Sequence, residues 1–191
     1  AGPREKLVVA MPKTYAKTET MGLWGDYFSH LGRCGNIDIQ NLQGESLERS
    51  ANVDTLGEKE LIDSLLSGKA QLAQVNPGLV PQLVGAGQPA PFAVPGNKAS
   101  GKPNSYHLIL IARVDSPYKV PKDLIGKKIA HSTPTSNSGN LAPRALFPAI
   151  GLVPDKKYDV VFSNGHERSV TGVMYGFYPA AAVASDLYQR M

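Results

Sequence analysis

The chain has 191 residues, of which 42% are hydrophobic and 19% are charged, a balance typical of a globular protein and not of a disordered one. Its net charge of +4 is spread along the sequence without a dense basic block, which argues against nucleic-acid binding. No apolar run reaches the roughly 18 residues that a membrane-spanning helix needs. The single cysteine, Cys34, excludes an internal disulfide and a multi-cysteine zinc site.

The first part of the chain alternates between strand and helix patterns. Lys6–Met11 is an apolar run ended by Pro12, as expected of a buried strand, and apolar residues at helical spacing follow before Gly32. The predicted order is strand, helix, strand, helix, strand, over 6–11, 20–31, 36–42, 58–66 and 71–75. This rhythm predicts a parallel α/β sheet with helices on its faces.

A stretch over 88–104, rich in Pro, Gly, Ser and Lys, predicts a boundary between two lobes, residues 1–104 and 105–191. Strands are predicted beyond it over 106–112, 128–131, 159–162 and 180–183. Helices are predicted over 120–124, 141–150 and 167–175, and from 186 onward. The sequence therefore predicts an α/β protein of two lobes, whose ligand site is expected in the loops that follow the strands.

The loop after the predicted strand 128–131 is rich in hydroxyl and amide side chains. Ser136, Asn137 and Ser138 stand just ahead of a predicted helix. The first N–H groups of a helix lack intrahelical partners and carry partial positive charge, so this loop suits an anion. An ordinary helix cap with a solvated loop explains the same residues equally well.

A second loop, 164–170, also follows a strand and opens a helix, and His166 in it can donate to an oxyanion. A purely structural histidine is the competing interpretation. Asn76, which ends the predicted strand 71–75, is a candidate for the opposing wall of the cleft. Tyr106 and Tyr15 are candidate phenol donors.

From Tyr106 to Asp186 the chain resembles the phosphonate, phosphite and phosphate substrate-binding proteins of ABC transporters, which have the type II periplasmic-binding-protein fold. The similarity lies in an ordered set of short motifs at 123–128, 136–139, 143–144, 164–166 and 169–176. The resemblance implies that Ser136, Asn137, Ser138 and His166 hold the oxyanion, and that Tyr106 lines the cleft.

The same resemblance implies a periplasmic monomer with its signal peptide removed, a permease partner, no cofactor and no metal; a lipid-anchored form stays open. Relatives continue beyond this length, so the first lobe is expected to be incomplete at the carboxyl end. Pro179 stands where the family usually has an acidic residue, and Asn137 replaces the middle residue of a Ser-Thr-Ser triplet. These departures leave the choice among phosphonate, phosphite and phosphate open.

Two other functions fit the same scaffold. An oxyanion sensor that signals to a membrane histidine kinase would use the same cleft. A hydrolase using Ser138 and His166 is less favoured, because the sequence has no Gly-x-Ser-x-Gly motif and no metal-ligand spacing.

Overall fold

The chain forms two compact units in a computed structural model. The structure describes residues 3–13, 17–48, 53, 55–86, 89–91, 93–94, 96, 99–103 and 105–191. The first unit comprises Ala1–Val75 and Leu79–Pro91, and the second comprises Asn76–Gly78 and Phe92–Met191. The predicted lobe boundary between residues 104 and 105 falls inside the second unit. Within the described residues, no helix is both long and apolar enough to cross a bilayer.

The first unit is built around β1, the apolar run that the sequence predicts as a buried strand. This strand pairs in parallel with all three others of its sheet. The strands are β1 Glu5–Pro12, β2 Ile37–Gln40, β3 Thr55–Leu56 and β4 Leu72–Ala73, and the helices are α1 Lys17–Gly35, α2 Glu58–Leu66 and α3 Val80–Gly85. Val9 and Met11 of β1 pack with Phe28 of α1 and Ile39 of β2 in the core.

The second unit has a four-stranded sheet in the order β5-β8-β6-β7. Its strands are β5 Leu108–Ala112, β6 Lys128–His131, β7 Asp159–Phe162 and β8 Ala180–Ala184, and its helices are α4 Ala142–Leu146, α5 His166–Met174 and α6 Ser185–Arg190. β6 pairs in parallel with β7 and β8, whereas β5 is an antiparallel edge strand.

Both faces of this second sheet are buried, as the all-apolar sequence of β8 requires. Successive side chains of a strand point to opposite faces. Accordingly, Ala180 and Ala182 pack into one core cluster, and Ala181 and Val183 pack into another beneath α5. Because both faces of the sheet are covered, the polar loops emerge at its edge, at the carboxyl ends of β6 and β7. The candidate site lies in these loops.

The parallel-rich α/β prediction is confirmed, with differences at specific elements. The short β3 and α3 were not predicted, and the predicted helix over 141–150 is interrupted. The chain instead forms a π-helical turn Asn137–Leu141, then α4, then a 3-10 turn Phe147–Ile150. Pro148 has no N–H to donate to a preceding carbonyl, so a continuous α-helix cannot run through it.

Candidate functional site

The turn after β6 presents unpaired backbone donors. Ser136 caps it, since its Oγ accepts from the N–H of Gly139 at 3.1 Å. The Ser136 carbonyl accepts from the N–H groups of Asn140 and Leu141, at 3.0 and 2.9 Å. The N–H groups of Asn137 and Ser138 lie in the first turn, where a helix offers no acceptor of its own. These two amides are therefore left to bind a ligand or water.

Gly139 fits this turn because it has no side chain. A Cβ added there would lie 1.9 Å from the Oγ of Ser132 and 2.8 Å from the Oγ of Ser136, distances that real Cβ atoms do not show. Ser132 is 1% exposed, so its side chain cannot swing away into solvent. The close approach of Gly139 to Ser132 thus fixes the path of the turn.

His166 is brought to the turn by the loop after β7. Asn164 has φ 63° and Gly165 has φ 153°, a left-handed backbone that reverses the chain before α5 begins at His166. The Nε2 atom of His166 lies 3.3 Å from the Oγ of Ser136 and 3.5 Å from the Oγ of Ser138. The two predicted loops therefore converge on one point.

The tautomer of His166 is determined by a hydrogen bond from β8. The N–H of Ala184, the last residue of β8, donates to Nδ1 at 3.2 Å. Because Nδ1 accepts this hydrogen bond, the neutral ring carries its proton on Nε2, the nitrogen that faces the two serines. Burial lowers the pKa of His166, although nearby Asp186 acts in the opposite direction. The imidazole is then a neutral hydrogen-bond donor at physiological pH.

These groups form a donor set without a formal charge: two backbone amides, two hydroxyls and an imidazole N–H. Such a set matches an oxyanion, which accepts several hydrogen bonds at once. In the part of the chain that the structure describes, no group of three or more His, Cys, Asp or Glu side chains is placed to hold a metal ion.

The other predicted site residues differ in how they relate to this donor set. Asn137 follows Ser136 directly and its side chain is exposed. Tyr106 is 42% exposed just before β5, and among the described residues no hydrogen bond joins it to the two serines or to His166. Tyr15 lies outside the described residues.

Asn76 belongs to the second unit through the short segment Asn76–Gly78. Its Oδ1 accepts from the N–H of Gly78 at 2.8 Å. A Cβ added to Gly78 would lie 2.1 Å from the carbonyl oxygen of Thr135, in the stretch leading to Ser136. The segment therefore packs against the start of the turn, and contact between Asn76 and an anion stays a prediction.

A buried polar network behind the turn was not predicted from the sequence. The His131 ring is fully buried at the end of β6. Its Nδ1 lies 2.9 Å from Oδ1 of Asn140, and its Nε2 lies 2.9 Å from the Tyr158 hydroxyl oxygen. Arg144 donates to the same Asn140 oxygen at 3.0 Å and pairs with Asp155 at 2.7 Å. The signal in the sequence was His131 itself, a polar residue directly after the apolar Ile129 and Ala130 at the end of β6.

Two histidines, the fully buried His131 and the half-buried His166, make stability depend on pH. Burial lowers the pKa of both His131 and His166 from the ordinary value of 6.5. Just below that pH the unfolded chain binds more protons than the folded chain, so the free energy of unfolding falls as the solution is acidified. We expect the melting temperature to drop between about pH 7 and about pH 5, above the range where most carboxylates titrate.

This expectation is checked by calorimetric melting across that pH range, with His131→Gln as the comparison. The variant lacks one of the two groups, so its melting temperature should change less steeply with pH. A melting temperature that stays constant or rises on acidification would contradict the lowered pKa of the two rings.

The fold and the site define a class of protein. Two α/β units, with an oxyanion-type donor set at the carboxyl ends of parallel strands, belong to the type II periplasmic binding proteins. Residues 42–191, well over half of the chain, match the family "ABC transporter, phosphonate, periplasmic substrate-binding protein", and the chain belongs to this family. By its description, the family is the phosphonate-type periplasmic substrate-binding component of ABC transporters.

Solved structures show the same fold at low sequence identity. A binding-protein component of an ABC phosphonate transporter from Pseudomonas aeruginosa is 16% identical with a TM-score of 0.71, over 98% of this chain and 60% of that one. PhnD1 from Prochlorococcus marinus, solved with methylphosphonate, is 13% identical with a TM-score of 0.70, over 97% and 66%. The aliphatic sulphonate binding protein SsuA from Escherichia coli is 20% identical with a TM-score of 0.59, over 97% and 53%.

The chain thus spans 60% of the length of the Pseudomonas protein and 66% of that of the Prochlorococcus protein. No curated protein sequence matches it.

Proposed function

We propose that this protein captures a small phosphorus oxyanion, a phosphonate, phosphite or phosphate, for import by an ABC permease. The anion is held at the turn Ser136–Ser138 and by His166. The observation that carries the proposal is the position of the His166 ring: Nδ1 accepts from the N–H of Ala184, and Nε2 faces the hydroxyls of Ser136 and Ser138. On this proposal the protein works as a monomer in the periplasm, where its family acts.

The donor geometry supports a tetrahedral anion. Oxygens of a phosphonate group can each accept from more than one donor, and the amides of Asn137 and Ser138 lie beside the hydroxyl of Ser138. The distances from His166 Nε2 to the two hydroxyls, 3.3 and 3.5 Å, are long for hydrogen bonds, so an anion oxygen improves the pairing of each group.

The same geometry disfavours a hydrolase. A serine nucleophile needs a histidine whose nearer nitrogen is bare, so that it can accept the hydroxyl proton. Here the nitrogen nearer to Ser138 is Nε2, which carries the proton because Nδ1 accepts from the N–H of Ala184. We therefore propose a binding role without catalysis.

The proposal is tested by thermal stability in phosphate-free buffer with added phosphate, phosphite, methylphosphonate or sulfate. A ligand that binds only the folded state raises the melting temperature as its concentration increases. We expect a rise with at least one phosphorus anion and none with sulfate. A rise with sulfate alone would contradict a phosphorus oxyanion as the ligand, and a melting temperature that none of the four anions changes would contradict the oxyanion site.

Removing single donors should weaken binding measurably. Ser138→Ala and His166→Phe each leave anion oxygens without a buried partner, at a cost of about 1–3 kcal/mol in binding free energy. Isothermal titration with the anion that gives the largest thermal rise measures this loss. The control variants are Ser116→Ala and His107→Phe, which make the same changes elsewhere in the second unit. Ser116 is half-buried and His107 is exposed, and neither change should alter the affinity. Wild-type affinity in Ser138→Ala or His166→Phe would remove that residue from the site.

A further inference from the structure

We infer that Asn140 is a positioning residue, through which a buried network holds the oxyanion turn in its binding conformation. This inference rests on the proposed function of the turn. The network consists of His131, Asn140, Arg144, Asp155 and Tyr158. None of its members supplies a donor to the anion itself, since the donors assigned above are Ser136, Asn137, Ser138 and His166.

Asn140 closes the turn at both of its ends. Its side-chain Nδ2 donates to the carbonyl of Pro134 at 2.6 Å, and its backbone N–H donates to the carbonyl of Ser136 at 3.0 Å. The proposed anion donors at 136–138 lie between these anchor points. Asn140 is 4% exposed, so these hydrogen bonds are shielded from competing water.

The orientation of the Asn140 amide is determined by partners that can act in only one way. Arg144 can only donate, and its Nε donates to Oδ1 at 3.0 Å. The Pro134 carbonyl can only accept, so it requires Nδ2 on the other side. Oδ1 is therefore an acceptor for His131 as well, and the Nδ1 of His131 carries the proton.

The remaining ring nitrogen of His131 links the turn to β7. With its proton on Nδ1, His131 accepts at Nε2 from the Tyr158 hydroxyl at 2.9 Å. Tyr158 is 2% exposed and directly precedes β7. Arg144 of α4 is held in turn by Asp155, from the loop that precedes Tyr158. His131 of β6 and Arg144 of α4 thus contact the Asn140 amide directly, and each of them links it to the loop before β7.

His131 and His166 consequently carry opposite tautomers. His131 is protonated on Nδ1, where it supports Asn140, and His166 is protonated on Nε2, where it faces the serines. A turn fixed in advance in this way loses less conformational entropy when the anion binds. Loss of the Asn140 side chain should therefore weaken binding although no anion contact is removed.

The test is the variant Asn140→Leu, with Leu124→Ala as the control. Leu124 is a core residue of the second unit, 3% exposed in the 3-10 turn Pro121–Leu124, and it packs in the same cluster as Tyr158. Its truncation destabilises the unit while removing none of the network's hydrogen bonds. Titration with methylphosphonate and with phosphate should show an affinity at least tenfold lower in Asn140→Leu and unchanged in Leu124→Ala. Amide hydrogen exchange at 136–141 should accelerate at least tenfold in Asn140→Leu alone.

A spectroscopic readout separates positioning from general destabilisation. Long-range ¹H–¹⁵N spectra distinguish a protonated from a bare ring nitrogen, and we expect the Nδ1–H form of His131 in the wild type and in Leu124→Ala. The signal should change in Asn140→Leu, because Nδ1 has lost its acceptor. If Asn140→Leu fails to fold, Tyr158→Phe and Arg144→Lys take its place, since each removes one donor from the network while keeping ring or charge.

Wild-type affinity together with wild-type exchange at 136–141 in these variants would overturn the inference, and the proposed function would stand. A wild-type protein that binds neither anion would overturn the proposed function and this inference with it.

Discussion

Gly139→Ala should abolish measurable oxyanion binding and lower the stability of the protein. The added methyl group would lie 1.9 Å from the Ser132 hydroxyl oxygen and 2.7 Å from its Cβ. Overpacking of a closed site typically costs about 1–3 kcal/mol in the free energy of unfolding, because neighbouring backbone has to move. Here the backbone that moves carries the amides of Asn137 and Ser138, so binding is lost as well.

Chemical denaturation and anion titration measure the two effects, and Gly22→Ala is the matched control. Gly22 lies within α1, where an added Cβ meets no atom within 4 Å. The same substitution there should raise stability by up to about 1 kcal/mol through better helix propensity. Gly139→Ala with full affinity would show that the turn does not need the close approach to Ser132.

Gly165→Ala should displace His166 and weaken binding through backbone strain. Gly165 has φ 153° and ψ 153°, a conformation that is essentially restricted to glycine and costs other residues about 1–3 kcal/mol. The residue is the cap from which α5 starts, so relief of the strain moves His166 relative to Ser136 and Ser138. We expect a lower midpoint of chemical denaturation and a lower anion affinity, measured by titration.

Gly176→Ala provides the control at the other end of the same helix. Gly176 has φ 78°, and an added Cβ there meets no atom within 4 Å. Left-handed backbone costs an alanine about 1–2 kcal/mol, so stability falls by a comparable amount. Affinity should persist in Gly176→Ala, because no anion donor lies beside it. Equal affinities in the two variants would contradict the role of the Gly165 backbone.

The sequence predicts the order of strands and helices in the second unit because its signals are local. The strands predicted over 128–131 and 159–162 begin and end where β6 and β7 do. The loops after these strands were predicted to meet, since carboxyl ends of neighbouring parallel strands share an edge. The structure places Ser136, Ser138 and His166 together accordingly.

Other features depend on contacts between distant residues, and no local pattern reveals them. The pairing of β5 antiparallel to β8 joins residues about seventy positions apart in the chain. The tautomer of His166 is determined by a backbone N–H of β8, and Asn140 acquires its partners only when β6, α4 and the loop before β7 pack together. Tyr106 was predicted as a phenol donor from its place in the sequence and from the resemblance, and its role in binding remains a prediction.

The central claim is that the anion is bound by the turn after β6 and by His166. Amide and imidazole nitrogen spectra recorded during a titration with methylphosphonate test it most directly. We predict that the largest shifts fall on the backbone amides of Asn137 and Ser138 and on Nε2 of His166. Saturable binding whose shifts leave these three groups unchanged would contradict the claim.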